Sequence, residues 1–169
     1  MRYNRGMSGR QTSPVAGLSL LAAVLLLAAC SPSVDVKSAL QVTDVSTGWF
    51  DAGVVDGKNK LVPNFTFRLR NISDQELPVV SINVIFRFAD TSEVHDEIFK
   101  QRVPFENKQT DLITVRSQNG FTGDPPQSRL EMLKNSLFRD MDAVLLVRQV
   151  SAQWIELHRV RVERKLLTE

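Results

Sequence analysis

The stretch NFTFRLRNISDQELPVVSINVIFRFAD, from Asn64 to Asp90, decides the fold. In its first part Phe65, Phe67 and Leu69 alternate with polar residues. Because successive side chains of a β-strand point to opposite faces, this run predicts a strand with one dry face and one wet face.

A second strand is predicted where the alternation resumes, after the segment NISDQELP, which is rich in turn-forming residues. The apolar positions of this strand that share one face are Val80, Ile82, Val84, Phe86 and Phe88. The two runs together favour an all-β architecture.

Five more short runs have strand character and are separated by turn signals such as DGKN, ADTSE and FENKQ. They cover residues 36–45, 96–103, 111–117, 143–150 and 154–162. Short strands at this spacing are typical of an antiparallel sandwich. We therefore expect a mainly β chain that forms a single antiparallel β-sandwich of about seven strands.

One segment, DPPQSRLEMLKNSLFRDM at residues 124–141, departs from the period of two. Its apolar positions that recur every three to four residues are Leu130, Leu133, Leu137 and Met141. This spacing predicts a helical stripe, and Ser128 with Glu131 has the spacing of a capping box. We place one α-helix at about residues 126–139, connecting two late strands and crossing from one sheet to the other.

The first 29 residues have the composition of a signal sequence. Arg2, Arg5 and Arg10 precede an apolar run from Val15 to Ala29, and no acidic residue occurs among them. The run is shorter than the roughly 20 apolar residues that a transmembrane helix needs. Residues 1–29 are therefore predicted to be a signal peptide that is cleaved.

The apolar run ends at the only cysteine of the chain, in the stretch LLLAAC. The residues Leu27-Ala28-Ala29-Cys30 resemble the lipobox of bacterial lipoproteins. The resemblance implies cleavage between Ala29 and Cys30 and a diacylglycerol on the sulfur of Cys30, which attaches the chain to a membrane. The alternative is an inert, buried cysteine that happens to end the signal sequence.

The residue after the cysteine bears on the choice of membrane. In many Gram-negative bacteria an aspartate at this place favours retention in the inner membrane, and here the residue is Ser31. The lipoprotein resemblance thus implies delivery to the outer membrane with the domain facing the periplasm. We expect residues 30–36 to be the lipidated cysteine with a short tether and residues 37–169 to be the folded domain, close to the bilayer.

A second resemblance covers less than a quarter of the chain, within residues 65–94. The stretch FRLRNISDQELPVVSINVIFRFADTSEV resembles the immunoglobulin-like domains of the FxLYD type found in bacterial surface lipoproteins. The shared features are a strand, an Asn-x-Ser turn, a long β-branched strand and an Asp-led turn. The resemblance implies an immunoglobulin-like sandwich, a fold that hosts many functions.

The composition excludes several function classes. Without residues 1–29 the chain has 18 basic and 19 acidic residues, so its charge does not favour nucleic acid as a partner. His95 and His158 are the only histidines, and no Gly-x-Ser-x-Gly motif, calcium loop or phosphate-binding loop occurs. We expect no catalysis, no bound metal and no cofactor, and with one cysteine no internal disulfide.

Three aromatic residues are candidates for an interaction surface. Trp49 and Phe50 lie in TGWFDAG, and Phe121 lies in the glycine- and proline-punctuated stretch NGFTGDPP. Exposed aromatic side chains dominate binding hot spots, and loops on rigid scaffolds often carry binding. The alternatives are that Trp49 and Phe50 fill the end of the core and that the loop of Phe121 only leads into the helix.

The sequence as a whole predicts a periplasm-facing, lipid-anchored binding or accessory module of the cell envelope, without catalysis and with another envelope protein as its partner. The alternative is a carrier of a small apolar ligand or lipid, held in a cavity between the sheets and the helix. The same apolar residues would be needed to pack a solid core.

Overall fold

Nine strands and two short helices make up the part of the chain that the structure, a computed structural model, describes: residues 34–150 and 152–167 together with Met1. In chain order the elements are α1 (Val36–Ala39), β1 (Leu40–Val55), β2 (Lys58–Asn71), β3 (Val79–Phe88), β4 (Val94–Pro104), β5 (Ile113–Arg116), β6 (Phe121–Gly123), α2 (Arg129–Lys134), β7 (Met141–Arg148), β8 (Ile155–Arg161) and β9 (Leu166–Leu167).

The strands form two sheets that pack face to face. The five-stranded sheet has the order β5-β2-β1-β9, with β6 also paired to β2, and the four-stranded sheet has the order β4-β3-β7-β8. Strands β1, β2 and β5 hold the places of strands A, B and E of an immunoglobulin-like sandwich, and β3, β7 and β8 hold those of C, F and G. Strand β4 takes the place of C′. The predicted fold class is confirmed.

The apolar positions predicted for one face of the two deciding strands lie between the sheets. Phe65 and Phe67 of β2 and Ile82 and Phe86 of β3 are all 0% exposed. Removing such side chains from water contributes about 1.5–3 kcal/mol each. The alternating pattern is therefore the pattern of the core.

The number of strands and several of their bounds differ from the prediction. Residues 36–45 begin with α1, which Asp35 caps by accepting a hydrogen bond from the Lys37 backbone N–H at 3.1 Å. Strand β1 then continues as far as Val55. The two strands that the sequence did not reveal are β6 and β9, whose three and two residues are too few for a visible alternation.

Helix α2 is much shorter than the predicted span of residues 126–139, because it covers six residues. Its start is as expected: Glu131 N–H donates to Ser128 Oγ at 3.2 Å, and Ser128 N–H donates to Glu131 Oε2 at 2.6 Å. It ends at Asn135, which is extended and whose side-chain oxygen accepts from Leu137 N–H at 2.8 Å. An asparagine side chain can form hydrogen bonds with nearby backbone groups, and these bonds compete with continuation of the helix.

The predicted helical stripe is consequently wrong. Leu133 is buried, but Leu130 and Leu137 are 56% and 83% exposed, and Met141 is the first residue of β7. Met132 lies on the core instead, at 4% exposure. The predicted connection is confirmed, since α2 lies between β6 of one sheet and β7 of the other.

The folded domain begins before residue 37. Val36 is 3% exposed and belongs to the core, and Val34 packs against that core. The tether predicted at residues 30–36 is therefore shorter, because residues 34–36 are part of the domain. The signal peptide, the cleavage site between Ala29 and Cys30 and the lipid site itself lie outside the described residues. Neither described helix is long and apolar enough to cross a membrane.

The sandwich has two ends that matter for function. At the end that we call proximal, β1 begins and β2 finishes, with Leu40 paired to Asn71. At the other end, which we call distal, the hairpin between β1 and β2 turns, with Val55 paired to Lys58. Helix α1 leads into the proximal end, and α2 leads into β7 at the distal end, where Phe88 pairs with Met141.

Candidate interaction site

Of the three aromatic residues that the sequence nominates, the fold brings two together. Trp49 and Phe121 lie with their ring centroids 5.5 Å apart. Phe50 lies on the opposite face of β1, because neighbours in a strand point to opposite sides. Trp49 is 0% exposed, so it fills the core and cannot itself contact a partner.

Trp49 belongs to a group of four rings, Trp49, Phe88, Phe121 and Phe138, which we call the distal aromatic cluster. Phe138 is the centre of contact, with its centroid 4.5 Å from that of Trp49 and 4.5 Å from that of Phe121. Phe88 lies 6.4 Å from Phe121. The rings come from four different parts of the chain, so they join both sheets and the segment after α2.

Two arginines cover the cluster from the solvent side. The guanidinium carbon of Arg139 lies 3.7 Å from the centroid of Phe88, and that of Arg164 lies 5.4 Å from the centroid of Phe138. Cations over aromatic faces are attracted by the ring quadrupole. Arg139 also bonds Asp90 at 2.7 Å, and this hydrogen bond holds the pKa of Asp90 below its usual value and raises the pKa of Arg139.

Arg164 is fixed by groups of the segment after α2. It donates to the carbonyl oxygens of Leu133 at 3.1 Å and Phe138 at 2.7 Å, and to the carboxylate of Asp140 at 2.7 Å. The bond to Leu133 satisfies one of the carbonyls that the short helix leaves free. The segment that carries Phe138 is thus held rigidly although it has no regular structure.

A hollow of about 180 Å³ opens beside the cluster. Its lining residues are Phe121, Thr122, Gln127, Met132, Asn135, Leu137 and Phe138. Leu137 stands at its rim, exposed over 83% of its surface. The hollow is therefore lined by the aromatic rings of Phe121 and Phe138, and the exposed side chain of Leu137 lies at its edge.

Three more exposed apolar residues lie at the same end: Leu130 of α2 and Val54 and Val55 of the hairpin between β1 and β2. The hairpin is tied to the segment before α2, because Asn59 Nδ2 donates to Gln127 O at 2.6 Å. Clustered exposed apolar side chains mark interaction sites more often than scattered ones. We call Val54, Val55, Leu130 and Leu137 the distal apolar rim.

Phe50 has a different setting. It lies on the outer face of the five-stranded sheet, where the guanidinium carbon of Arg116 is 3.6 Å from its ring centroid. Arg116 Nε also donates to Asn64 Oδ1 at 3.2 Å. Phe50 is half-buried and takes no part in the distal site.

The sequence missed most of the distal site. The alternation in β3 predicts Phe88 in the core and the helical spacing predicts Leu137 in a buried stripe, and neither pattern points to Phe138 or Arg139. The available signal is the apolar pair Leu137-Phe138 with Arg139, directly after the helix-breaking pair Asn135-Ser136. It becomes a site only because the chain folds this segment against Trp49 and Phe121.

The two histidines pack against aromatic rings. The His95 centroid lies 5.2 Å from that of Phe88, and the His158 centroid lies 6.4 Å from that of Phe65. The Nε2 atom of each is buried without a hydrogen-bond partner in the described part of the chain. Among the described residues no three His, Cys, Asp or Glu side chains are grouped in a way that could hold a metal ion.

Comparisons with known proteins add no family. No protein-family model matches the chain, and no curated protein matches it. A solved structure that is similar is the X-ray structure of Northeast Structural Genomics Consortium target SoR45, at 15% sequence identity and a TM-score of 0.38. The similarity covers 75% of this chain and 88% of that one.

Proposed function

We propose that this chain is a lipoprotein of the bacterial envelope whose domain binds another envelope protein through its distal end, without catalysis. The signal peptide of residues 1–29 is cleaved between Ala29 and Cys30, Cys30 carries the lipid, and Ser31 directs the protein to the outer membrane, facing the periplasm. The support for anchoring is the basic and apolar leader followed by the lipobox-like Leu27-Ala28-Ala29-Cys30.

The observation that carries the binding proposal is the distal apolar rim together with the hollow that Leu137 of this rim lines. Apolar side chains that stay in water at 83% exposure, as Leu137 does, gain free energy when a partner covers them. Phe121 and Phe138 line the hollow, and aromatic side chains are enriched in protein–protein interfaces. The rim is also prearranged, which lowers the entropy lost on binding.

The position of the rim suits an anchored protein. Only Ser31 to Ser33 separate Cys30 from Val34, and three residues reach about 10 Å at most. The proximal end would then lie at the bilayer. Strands rise about 3.3 Å per residue, so Trp49 is roughly 25–30 Å along β1 from Leu40. The distal end would face away from the lipid.

A protein partner fits the hollow better than a carried lipid does. The space between the sheets is filled by side chains such as Trp49, Phe65 and Phe86, each 0% exposed. The hollow of about 180 Å³ is smaller than the roughly 300 Å³ at which small-molecule sites begin. It has room for one apolar side chain of a partner.

Mass spectrometry of the protein extracted from its own membranes tests the anchoring. We expect a chain that begins at Cys30 and carries the mass of acyl chains, and a Cys30→Ala variant without that mass. An unmodified Cys30 in the membrane-derived protein would rule out the lipid anchor.

Site-specific photocrosslinking in intact cells tests the binding end. A photoreactive residue at Leu137 should crosslink to one envelope protein, and the crosslink should disappear when Leu130 is changed to Asp. The matched control is Ile72, an apolar residue that is 57% exposed at the proximal end. Equal crosslinking from Ile72, or a Leu137 crosslink that Leu130→Asp leaves intact, would refute the distal site.

A further inference from the structure

Two large apolar side chains are exposed at the proximal end of the sandwich. Ile72, directly after β2, is 57% exposed, and Val150, in the hairpin between β7 and β8, is 78% exposed. Arg148 at the end of β7 pairs with Ser81 near the start of β3, so this hairpin turns at the same end as the loop after β2. Exposed apolar groups at one end of a domain are candidates for contact with a protein or a membrane.

Helix α1, with which the domain begins, neighbours both segments. The Ile72 N–H donates to the carbonyl oxygen of Ala39, the last residue of α1, at 2.9 Å. Helix α1 also contacts β8, the second strand of the hairpin that carries Val150. The two exposed apolar residues therefore belong to the segments beside the start of the domain.

The backbone around Ile72 is fixed by side chains, so its exposure is not that of a loose loop. Asn71 Oδ1 accepts from the Ser73 N–H at 3.0 Å and from Ser73 Oγ at 2.7 Å. Asn71 Nδ2 donates to the carbonyl oxygen of Gln75 at 2.7 Å. An apolar side chain that a rigid backbone already holds in water loses little entropy when a binding surface covers it.

A hollow of about 320 Å³ opens beside the loop after β2. Its lining includes the carboxylates of Asp74 and Glu76, the ring of Phe105 and the amine of Lys108. Lys108 Nζ donates one hydrogen bond, to Ser73 O at 3.0 Å, and keeps two further N–H groups. Carboxylates and an aromatic ring attract an ammonium group, and a lysine attracts a phosphate. The hollow thus has the charges that complement a phosphoethanolamine group.

The net charge of the proximal end is negative. Its segments, residues 34–39, 72–78, 105–109 and 149–154, contain four acidic and two basic residues: Asp35, Asp74, Glu76 and Glu106, with Lys37 and Lys108. Anionic lipids attract basic segments and repel acidic ones. A membrane surface that meets this end is therefore expected to present ammonium groups.

The length of chain before the domain decides what covers this end. With the proposed lipid on Cys30, only Ser31 to Ser33 lie between the anchor and Val34, which packs against the core. Three residues reach about 10 Å at most. The head-group region on each side of a bilayer is about 5–8 Å thick, so a tether of this length holds the proximal end at the head groups.

We propose that the proximal end rests on the bilayer that holds the anchor. Ile72 and Val150 lie between the head groups, and the ammonium group of a phosphatidylethanolamine lies in the hollow beside Asp74 and Glu76. This contact rests on the proposed lipid anchor. The tether, Ile72 and Val150 make three points of contact, which fix the tilt of the domain and keep the distal apolar rim pointing away from the lipid.

Nitroxide labelling of the lipidated protein tests the contact, in vesicles of phosphatidylethanolamine and phosphatidylcholine. Ile72→Cys or Val150→Cys provides the thiol, because the sulfur of Cys30 is occupied by the lipid. At both positions oxygen, which concentrates in lipid, should relax the label more than a water-soluble nickel chelate does. The matched control is Leu137→Cys, at an apolar residue 83% exposed at the distal end, where the chelate should dominate.

The outcomes distinguish this contact from the anchor. Lipid contact at residues 72 and 150 but not at 137 supports the proposal. Water contact at both proximal positions, in a protein whose mass shows an acylated Cys30, overturns the contact and leaves the anchor in place. A Cys30 that itself takes up the nitroxide overturns both. Lipid contact at only one proximal position excludes the three-point arrangement.

The lipid composition tests the charge argument. Replacing part of the phosphatidylethanolamine by phosphatidylglycerol should shift the label at residue 72 towards water, because the acidic proximal end is repelled by anionic lipid. A contact that is unchanged or strengthened by phosphatidylglycerol would overturn the assignment of the hollow to an ammonium group.

Substitution of the two apolar residues gives a second measurement, with the nitroxide on a Gln75→Cys variant in the exposed loop after β2. The double change Ile72→Asp with Val150→Asp should move this label towards water. The matched control, Leu130→Asp with Leu137→Asp, alters two exposed apolar residues of the distal rim and should leave the label where it is. The same label position in both variants would mean that Ile72 and Val150 do not hold the domain on the bilayer.

Discussion

On the outer face of the five-stranded sheet, Thr66 and Arg68 of β2 form hydrogen bonds in contact with water, to Thr114 at 3.1 Å and Asp44 at 3.0 Å. On the outer face of the four-stranded sheet, the corresponding central residues Ile85 and Val144 are apolar and nearly without contact with water. Both faces belong to the same sandwich and enclose the same core. The difference shows that the outer face of the five-stranded sheet meets water with polar side chains, whereas apolar residues at the middle of the other outer face are already shielded from water within the chain.

Where the five-stranded sheet does bury outward residues, its own chain covers them. Val62 and Asn64 are each 4% exposed. The backbone at Gly120 approaches Val62 so closely that an added Cβ would lie 2.8 Å from Val62 Cγ1. Next to Asn64, Gly48 leaves room for Leu167 of β9. A covered patch on this sheet therefore needs no partner.

The largest expected effect concerns Ile85, at the middle of the outer face of the four-stranded sheet. Ile85→Ala should lower the free energy of unfolding by about 2–3 kcal/mol, because it leaves a cavity at a site 6% exposed. The matched control is Gln41→Ala, an exposed residue on the outer face of β1, which should change it by less than about 0.5 kcal/mol. Urea unfolding at neutral pH measures both. Equal effects would mean that the two outer faces do not differ.

The next effect tests the cover of the five-stranded sheet. At Gly120 a Cβ would collide with the carbonyl oxygen of Leu61, so Gly120→Ala must displace β6 and should cost about 2 kcal/mol. Gln118→Ala in the same loop is the control, because its side chain is exposed and forms no described hydrogen bond. A tolerated Gly120→Ala would show that the loop does not press on the sheet.

A smaller effect concerns the link between the two sheets. Asp96 of β4 accepts from Ser117 Oγ at 2.5 Å and from Gln118 N–H at 2.9 Å, beyond the end of β5. Burial raises the pKa of Asp96, but these hydrogen bonds outweigh it and the pKa is lowered. Stability from a carboxyl with a lowered pKa is present above the unfolded value of about 3.9 and is lost as the pH falls towards the folded value.

Asp96→Asn should therefore destabilise the protein by about 1 kcal/mol at pH 7. This is less than a fully buried charged hydrogen bond contributes, because Asp96 is partly exposed and water screens its charge. The difference between the two proteins should shrink as the pH falls from about 5 to 3. Urea unfolding across that range measures it, with Asp56→Asn as an exposed control. A difference that stays constant with pH would contradict the assigned ionisation.

The smallest expected effect concerns two arginines, each of which covers an aromatic ring on the outer face of one of the two sheets. Arg148→Lys and Arg116→Lys keep the charge but lose the planar stacking over Trp154 and Phe50. Each should cost about 0.5–1 kcal/mol in urea unfolding. A loss below about 0.2 kcal/mol in either variant would show that its arginine does not stabilise the ring that it covers.

Part of the candidate site could be predicted from the sequence and part could not. Trp49 and Phe50 are neighbours in a strand, so the sequence alone requires them to point to opposite faces. Which of them enters the core is decided by pairing, because Trp49 stands opposite Pro63 and Phe50 opposite Val62. Leu137 has the spacing of a buried helical residue, yet Asn135 ends the helix before it.

The sequence by itself determined the sandwich, through the alternation in β2 and β3, and the start of α2, through Ser128 and Glu131. These features depend on residues close together in the chain, whose geometry is set by the local backbone. Only the tertiary structure decided the distal aromatic cluster and the burial of the paired residues Ile85 and Val144 on the outer face of the four-stranded sheet. Both join residues that are far apart in the chain, and their contacts depend on strand register, which local pattern does not encode.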